Sequence, residues 1–459
     1  ASSKRPKNDS WIVKAPVPGG PVDGSVIPSF LGHVASRIWI GQSRGMLKCQ
    51  NRMGAHKELR EWLREMAQAP RDLILQTGLS HLASSMHTHV DTPLISAFVE
   101  RWQPDTNSFH LPFGEMSIML HDVRAILGVS LDGAVVTGDP DSLTSQAHCM
   151  EILGVDQGNL MANLWDHGSV TNAAIFEALR KNGAGRSAEH VAIGWLWILL
   201  ATTLFTDKSG NRVSPKLLHE MIDDVQGVET YSWGSAALAY LFRQLGIASR
   251  GDAQGLSGCL TLMQSWIYEY FPTFRPQKAR MTSEPNCVAR SDLWSTPVPE
   301  RSDKRLKDFR RQLDRLTAAQ VNWLPYDRKP HELEPRTLYS GCLRYRDIVE
   351  PYMPLRCLRQ LGYVQIIPPC MDRPTNACRA WESRMYRVEH AVTTAVDHWD
   401  QFPRLHSIHL SDFTPTTVDD LGKAHEEYRR WYDRVSHPIL LPDSQPDNDA
   451  VPARANTDY

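Results

Sequence analysis

The amino-acid sequence predicts a mainly α protein, a single multi-helix globular domain with a few short strands or hairpins. Apolar side chains recur at helical spacing in most segments, as Leu59, Trp62 and Met66 do. Helix boundaries carry capping residues, since Ser232 precedes one such stretch and Gly246 follows it. Strand-like and helical segments do not alternate regularly, so the pattern of a parallel sheet is absent.

The helical spacing places the main helices in chain order. Pro70 ends the first, Gly78 interrupts the second, and Pro215 stands where proline fits the first turn of a helix. The predicted helices span residues 56–67, 72–85, 170–181, 189–205, 216–224, 232–246, 259–271, 301–316, 380–402 and 418–436. The helix at 189–205 is apolar nearly all round and is predicted to be central. Its apolar run is shorter than the ~20 residues that a membrane-spanning helix needs, so we expect no membrane partner.

The stretch from residue 94 to residue 133 contains the most ordered sequence of signals. An apolar helical run ends at residues 100–102, and Pro104 prevents its continuation. Phe109, Leu111 and Phe113 then alternate as in a half-buried strand. A second helix follows, and Gly128 is a suitable left-handed stop.

This stretch closely resembles the signature of the plant mobile domain, a transposon-derived family whose cellular members include proteins of the MAINTENANCE OF MERISTEMS type. The string that carries the resemblance is ERWQPDTNSFHLPFGEMSIMLHDVRAILGVSLDG, residues 100–133. Further family-like blocks lie at residues 16–52, 232–272, 343–369 and 427–440. The resemblance implies a domain over residues 16–442, with an N-terminal docking arm at 16–53. The irregular, proline- and serine-rich composition around residues 281–298 predicts an exposed insertion at 275–300. Residues 1–15 and the acidic segment 443–459 are predicted to be disordered tails.

The resemblance also implies a function, which is that of a non-enzymatic interaction scaffold in the nucleus. It implies roles in transposon silencing, control of gene expression, genome stability and meristem maintenance. The implied partner is a phosphatase-like protein of the kind that is fused to other family members. The metallophosphatase motifs GDxHG, GDxVDRG and GNHE are absent from this sequence. The basic cluster at residues 4–7 resembles a nuclear-import signal, although a solvated tail is the more ordinary interpretation of so short a run.

Composition and motifs favour no catalytic chemistry. The net charge is −2, so no global field attracts nucleic acid or an anionic membrane. The eight cysteines include no C-x-x-C pair, which favours reduced thiols in an intracellular protein. His87 and His89 lack further ligands at a spacing that zinc requires, and Asp139-Pro140-Asp141 is more typical of a turn than of a cation site. We therefore expect no catalytic residues, no metal and no cofactor.

Two groups of residues are candidates for binding other molecules. The presumed exposed end of the signature and the last family-like block supply contact-surface candidates, although burial in the core is the alternative for the signature residues. These candidates are Glu100, Arg101, Trp102, His110, Glu115, Arg429, Arg430 and Trp431. A basic helix at 301–316 is the candidate for DNA or chromatin, with Arg301, Lys304, Arg305, Lys307, Arg310 and Arg311. Its interleaved aspartates are more typical of an ordinary solvated helix, and that interpretation is favoured over nucleic-acid binding.

Three functions therefore remain open at this stage. The interaction scaffold is favoured, a nucleic-acid-binding module that uses the helix at 301–316 is the alternative, and an enzyme descended from a transposon is the third. The third would need three carboxylates on separate elements of a mixed sheet to hold two metal ions. The sequence does not show the strand pattern that would build such a sheet.

Overall fold

The fold is mainly helical, which confirms the predicted class. The computed structural model describes residues 17–49, 52–138, 151, 165–166, 169–181, 185–221, 225–276, 288–294, 296–326, 333–369 and 392–442. In chain order the α-helices are α1 (Val34–Trp39), α2 (Met53–Glu65), α3 (Gln68–Gln76), α4 (Leu82–Ser85), α5 (Thr92–Val99), α6 (Leu120–Leu127), α7 (Asn172–Ile175), α8 (Ala188–Thr202), α9 (Trp233–Ala248), α10 (Leu260–Tyr270), α11 (Asp303–Asp314), α12 (Val392–Asp400) and α13 (Glu426–Val435). A π-helical turn, Phe176–Lys181, continues α7. The 3-10 segments of the described residues include Pro215–Met221 and Val225–Thr230, and Pro354–Leu361 consists of two short helices that meet at a kink at Cys357.

The strands are short and form small separate sheets. They are β1 (Lys48–Cys49), β2 (Trp102–Gln103), β3 (Ser108–Leu111), β4 (Gly114–Met116), β5 (Trp165–Asp166), β6 (Ser169–Thr171), β7 (Arg212–Val213), β8 (Gly255–Leu256), β9 (Gly341–Tyr345) and β10 (Ile348–Tyr352). Strands β2, β3 and β4 form an antiparallel sheet within the signature, and β5, β6 and β7 form another. Strands β9 and β10 form an antiparallel hairpin, whereas β1 and β8 pair in parallel.

Helix α8 lies at the centre of the fold, as its nearly uniform apolar sequence predicts. The side chains from Val191 to Thr202 are all buried. Trp195 and Trp197 are fully buried, and their indole N–H groups donate to the backbone oxygens of Leu59 (3.0 Å) and Ser214 (2.8 Å). These bonds satisfy the only polar atoms of two large apolar side chains. Within the described residues, no helix combines the length and the apolar content that crossing a membrane requires.

Aromatic packing joins the signature to a second family-like block. The Phe109 ring of β3 lies 4.9 Å from that of Trp102 and stacks at 5.1 Å on that of Trp266 in α10. Phe98 of α5 meets Phe109 edge-on at 5.9 Å. The predicted strand is present as β3, but it ends at Leu111 and both of its faces are buried, so the half-buried alternation through Phe113 is wrong. Gly128 has a φ of +68° and ends α6 as predicted.

The N-terminal arm packs on the helical body through a small apolar cluster. Its buried members are Ile27, Phe30, Val34, Ala35 and Ile38, and they meet Leu440 from the other end of the described chain. The hydroxyl of Ser29 donates to Asp105 at 2.6 Å. Ile38 of α1 is buried in this cluster, whereas Ile40 is 57% exposed.

Several predicted helix boundaries are wrong. The helix predicted over residues 72–85 is two helices, α3 and α4, separated around Gly78, whose φ is +69°. Residues 170–181 begin in β6 and end in a π-helical turn, and α13 begins only at Glu426 rather than at residue 418. Of the helix predicted at 380–402, the structure describes α12, and the earlier part lies outside the described residues. Both predicted tails and the aspartate turn at 139–141 also lie outside them.

The insertion expected to be exposed at 275–300 is partly docked on the core. Ala289, Leu293 and Trp294 are buried, and the Trp294 ring lies 5.5 Å from that of Tyr268. The indole N–H of Trp294 donates to the Glu269 carboxylate at 3.2 Å. Among the described residues of this segment, Arg290–Leu293 forms a 3-10 turn and Trp294 is a packing anchor.

Candidate interaction surface

The signature residues chosen as contact candidates are buried, so their expected exposure is wrong. Glu100, Arg101, Trp102 and His110 are completely inaccessible, and Glu115 is 1% exposed. The physical reason is that each of the charged and histidine side chains has a partner from a distant part of the chain, and buried groups of this kind require such partners. The sequence signal for burial was present in the apolar neighbours, but the partners could not be inferred from it.

Two buried ion pairs attach the end of α5 to α11. Arg310 donates Nε and Nη2 to the two carboxylate oxygens of Glu100, at 2.7 and 2.6 Å. Arg101 donates to the Asp314 carboxylate at 2.5 Å, and neither side chain is exposed. Burial lowers the pKa of Arg310, but the hydrogen bonds and charge of Glu100 outweigh this effect and raise it overall. The Arg310 guanidinium is therefore held charged in the interior.

A second buried network surrounds Glu115 on β4. Arg356 donates Nη1 to both carboxylate oxygens of Glu115, at 2.9 and 3.0 Å, and the Ser108 hydroxyl donates at 3.0 Å. The backbone N–H of Glu115 donates to the Tyr428 hydroxyl of α13 at 3.1 Å. These contacts connect the signature hairpin to the third and last family-like blocks, which explains why the blocks are spread along the sequence.

Three buried histidines connect the arm, the signature and the segment after α13. The ring of His437 lies 5.2 Å from that of His33 and 5.8 Å from that of His110. Burial lowers the pKa of His33 to about 3, that of His110 to about 4, and that of His437 well below its usual range. Nε2 of His33 donates to the backbone oxygen of Trp102 at 2.8 Å, while its Nδ1 accepts from the N–H of Ala35. The cluster therefore consists of neutral imidazoles that pack and hydrogen-bond.

No group of three or more His, Cys, Asp or Glu side chains among the described residues could hold a metal ion. His87 is buried, and its pKa is lowered by burial to about 4. Its backbone N–H donates to the Thr261 hydroxyl at 3.0 Å, whereas that of His89 donates to Thr296 at 3.1 Å. These contacts give the segment a structural role in joining α10 to residues 296–300.

The contact candidates on α13 lie at the surface. Arg429 and Arg430 are exposed, and Trp431 is half-buried. Arg430 forms an exposed pair with Glu426 at 2.9 Å. Tyr432 faces inward and donates its hydroxyl to the backbone oxygen of Leu111 at 2.9 Å. The helix therefore presents its basic side outward, and the interaction role of these residues remains a prediction.

The basic helix is divided between structural and exposed cations. Of the six predicted residues, Arg305 pairs with Asp91 at 2.5 Å and Arg310 with Glu100, so these two hold the fold together. Arg301, Lys304, Lys307 and Arg311 are exposed. Arg315, which the sequence analysis did not select, is exposed as well. Lys307, Arg311 and Arg315 follow at intervals of four residues and therefore lie on one side of the helix, a signal that was readable from the sequence.

A groove of about 360 Å³ opens between α11, the arm and the segment at residues 441–442. We call it the α11 groove, and its lining residues are Ile38, Gly41, Ser43, Lys307, Arg310, Arg311, Arg315, Leu441 and Pro442. Nη2 of Arg310 donates to the Ser43 hydroxyl at 2.9 Å, which fixes the arm to the helix at the groove. Two other cavities, beside Cys357 and beside His56, have volumes of about 10 and 20 Å³, which suit a water molecule rather than a ligand.

Comparison with protein families identifies the domain. The family model described as plant mobile domain matches residues 78–433, a span that includes the signature, α11 and most of α13. The chain belongs to the plant mobile domain family. The resemblance inferred from residues 100–133 is thereby confirmed. The matched span begins after the arm and ends before residues 441–442, so two walls of the α11 groove lie outside it.

Curated relatives of this plant mobile domain protein come from Arabidopsis thaliana. Protein MAIN-LIKE 1 is 31% identical over 430 residues, covering 91% of this chain and 79% of the relative. Protein MAINTENANCE OF MERISTEMS is 32% identical over 350 residues, covering 73% of this chain and 70% of the relative. A serine/threonine-protein phosphatase 7 long form homolog is 27% identical over 458 residues, covering 92% of this chain but only 32% of the relative. None of the solved structures matches the chain.

Proposed function

We propose that this plant mobile domain protein is a non-enzymatic interaction scaffold that contributes to meristem maintenance. The proposal rests on one observation, which is that the polar side chains of the signature are buried and hydrogen-bonded in the interior. Glu100, Arg101, His110 and Glu115 are all inaccessible and are hydrogen-bonded to distant segments. Because these signature residues pack in the interior, they make the domain rigid. The surface residues of the domain are then available to bind partners. The similarity to a relative named for meristem maintenance supports the biological role.

We further propose that the scaffold acts in the nucleus and associates with a phosphatase-like protein. A phosphatase-named relative is similar to nearly the whole of this chain over about a third of its own length. A domain that is joined to a phosphatase in one protein is a reasonable partner for a separate phosphatase-like chain in another. Through this association the scaffold would serve transposon silencing, gene-expression control and genome stability.

The test is affinity purification of the tagged full chain from plant nuclei, with and without nuclease. We expect mass spectrometry to recover a phosphatase-like protein in both samples. In the variant R429E/R430E we expect reduced recovery, because these exposed cations form the basic side of α13. The matched control is K57E/R64E, which reverses two exposed cations on α2 and should leave recovery unchanged.

Other outcomes would support the other functions. Recovery of the partner only without nuclease, together with a steeply salt-dependent shift of DNA in a gel, would favour a nucleic-acid-binding module. Metal-dependent nicking of DNA that is abolished by a single aspartate substitution would favour an enzyme. Absence of any phosphatase-like protein from the purified material would contradict the proposed partner.

A further inference from the structure

We propose that the α11 groove binds an acidic peptide segment of a partner protein, in which aliphatic side chains are flanked by carboxylates. The inference rests on the proposed scaffold function and adds the place and the chemistry of one contact. It depends on three properties of the groove, which are uncompensated positive charge, an apolar wall and walls that are held in place.

The positive charge lies on one side of α11. Within the described part of the chain, neither Lys307 nor Arg315 has a hydrogen bond or ion pair from its side chain. Arg311 has Asp308 as its partner at 3.3 Å, but the two side chains are 57% and 45% exposed. An exposed pair of this kind stabilises the protein little, so Arg311 can exchange its partner for an incoming carboxylate. Arg310 also lines the groove, but it differs from these three cations because Glu100 already neutralises its charge.

The opposite wall is apolar. Ile38 of the arm and Leu441 and Pro442 after α13 line the groove. Ile40, at the end of the arm helix, is 57% exposed. A volume of about 360 Å³ lies within the range of about 300–1,000 Å³ that is usual for ligand sites. An aliphatic side chain can therefore be buried against one wall while its neighbouring carboxylates face the cations on the other.

Hydrogen bonds hold the walls in position before any ligand binds. The Asp314 carboxylate accepts from the backbone N–H groups of Leu440 and Leu441, both at 2.9 Å, in addition to its pair with Arg101. Ser43 is bonded to Arg310 on the arm side. Both non-helical walls are thus attached to α11, and a preorganised site loses little ordering entropy on binding.

The same lining is poorly suited to a nucleic acid. Single strands are usually bound by aromatic side chains on which bases stack, and none of the described residues that line the groove is aromatic. Asp303 and Asp308 interrupt the row of cations that a phosphate backbone would follow. Arg305 and Arg310 are engaged in the fold, as described above. A short peptide with its own apolar side chains matches the mixed lining better.

The experiment measures fluorescence anisotropy of a labelled hexapeptide, with two leucines between pairs of aspartates, on titration with the purified full chain. We expect K307E/R315E to weaken binding at least tenfold, which corresponds to about 1.4 kcal/mol. The matched control R301E/K304E reverses two exposed cations of the same helical region that do not line the groove, and we expect its affinity to stay within about twofold. A peptide with asparagine in place of aspartate should bind at least tenfold more weakly. Added salt should weaken the binding of the acidic peptide, because it screens the attraction between the carboxylates and the cations. If K307E/R315E unfolds at a different temperature from the wild-type chain, the neutral variant K307Q/R315Q replaces it in this measurement.

Several results would overturn the proposal. Equal binding of the aspartate and asparagine peptides would do so, as would equal losses in the two charge-reversed variants. Tighter binding of a DNA duplex that displaces the peptide would identify a nucleic acid as the occupant. Binding that requires deletion of residues 443–459 would identify that acidic segment, which follows Pro442 directly, as the occupant instead.

The proposal for the groove and the proposal for the scaffold can be contradicted separately. If the wild-type chain and K307E/R315E recover the phosphatase-like protein equally from nuclei, and neither binds the peptide, the scaffold stands and the groove proposal is wrong. If the wild-type chain binds the peptide but recovers no partner, the groove stands and the proposed partner is wrong.

Discussion

The substitution Glu100→Gln tests whether the interior ion pairs hold this fold together. Glu100 is completely buried and Arg310 is 3% exposed, and the two are joined by hydrogen bonds of 2.6 and 2.7 Å. Glutamine retains the size of the side chain but removes its charge, so the Arg310 guanidinium remains in the interior without a counterion. Removal of one partner of a buried pair typically costs about 3–5 kcal/mol. Since whole domains are stable by about 5–15 kcal/mol, the loss is a large fraction of the total.

The measurement is urea unfolding of the full chain, followed by tryptophan fluorescence and by circular dichroism. The matched control is Glu426→Gln, which breaks an exposed pair with Arg430 and should cost no more than about 0.5 kcal/mol. A double variant, Glu100→Leu with Arg310→Met, replaces both charges by apolar groups. We expect it to be more stable than Glu100→Gln, because no unpaired charge remains in the interior.

Two results would refute this reasoning about the interior pair. One is a loss of stability in Glu100→Gln no larger than that of the exposed control, and the other is a double variant that is less stable than the single one. Either result would mean that the Glu100 carboxylate is not the counterion on which the folded state depends. The position of α11 would then have to come from its apolar side chains, such as Leu306, Phe309 and Leu313, which are also buried.

Three other predictions concern a histidine, a glycine with its control, and a thiol. Burial lowers the pKa of His33 from 6.5 to about 3. Below about pH 6.5 the unfolded chain therefore takes up a proton that the folded chain does not, and the folded state loses stability as the pH decreases. His33→Asn should therefore reduce the slope of unfolding free energy between about pH 6.5 and about pH 4 by up to about 1.4 kcal/mol per pH unit, and an unchanged slope in urea titrations would contradict this. Gly114 has a φ of +133°, and an added Cβ would lie 2.2 Å from Nη2 of Arg359, so Gly114→Ala should cost at least about 1–3 kcal/mol. The control Gly54→Ala, in a helix with no neighbouring atom within 4 Å, should gain up to about 1 kcal/mol in the same assay. Burial raises the pKa of Cys259 to about 12, so iodoacetamide should not modify it in the native protein, and early modification seen by mass spectrometry would show that the site opens.

The sequence was informative wherever the determining pattern is local. The apolar run of α8 predicts a central helix, and the run is buried on all sides. Gly128 predicts a left-handed helix end, and its φ is +68°. Predictions were poorer where backbone geometry depends on tertiary packing, as in the π-helical turn from Phe176 to Lys181. Helical spacing cannot distinguish that turn from a regular helix, because the difference is one of hydrogen-bond partner and not of residue type.

The positions of the charged signature residues could not be predicted for a different reason. Glu100 and Arg101 have the composition of an exposed helix end, but their partners, Arg310 and Asp314, are more than 200 positions away in the chain. A charge is stable in the interior only when its partner is present, and one sequence does not show which residues are partners. The α11 groove was missed for the same reason, since its walls come from three separate segments.

These two findings together suggest where members of this family would differ in function. A signature whose polar groups are satisfied inside the fold can determine the structure of every member, but it cannot select a partner. The α11 groove combines a helix inside the family-matched span with Ile38 before that span and Leu441 after it. Ile38 is packed in the small apolar cluster and Ser43 is bonded to Arg310, so changes there would also affect the fold. Pro442 is exposed, and a substitution there can change the ligand while leaving the interior ion pairs untouched. We therefore expect Pro442→Glu to weaken binding of the acidic peptide in the anisotropy assay while leaving the unfolding free energy nearly unchanged.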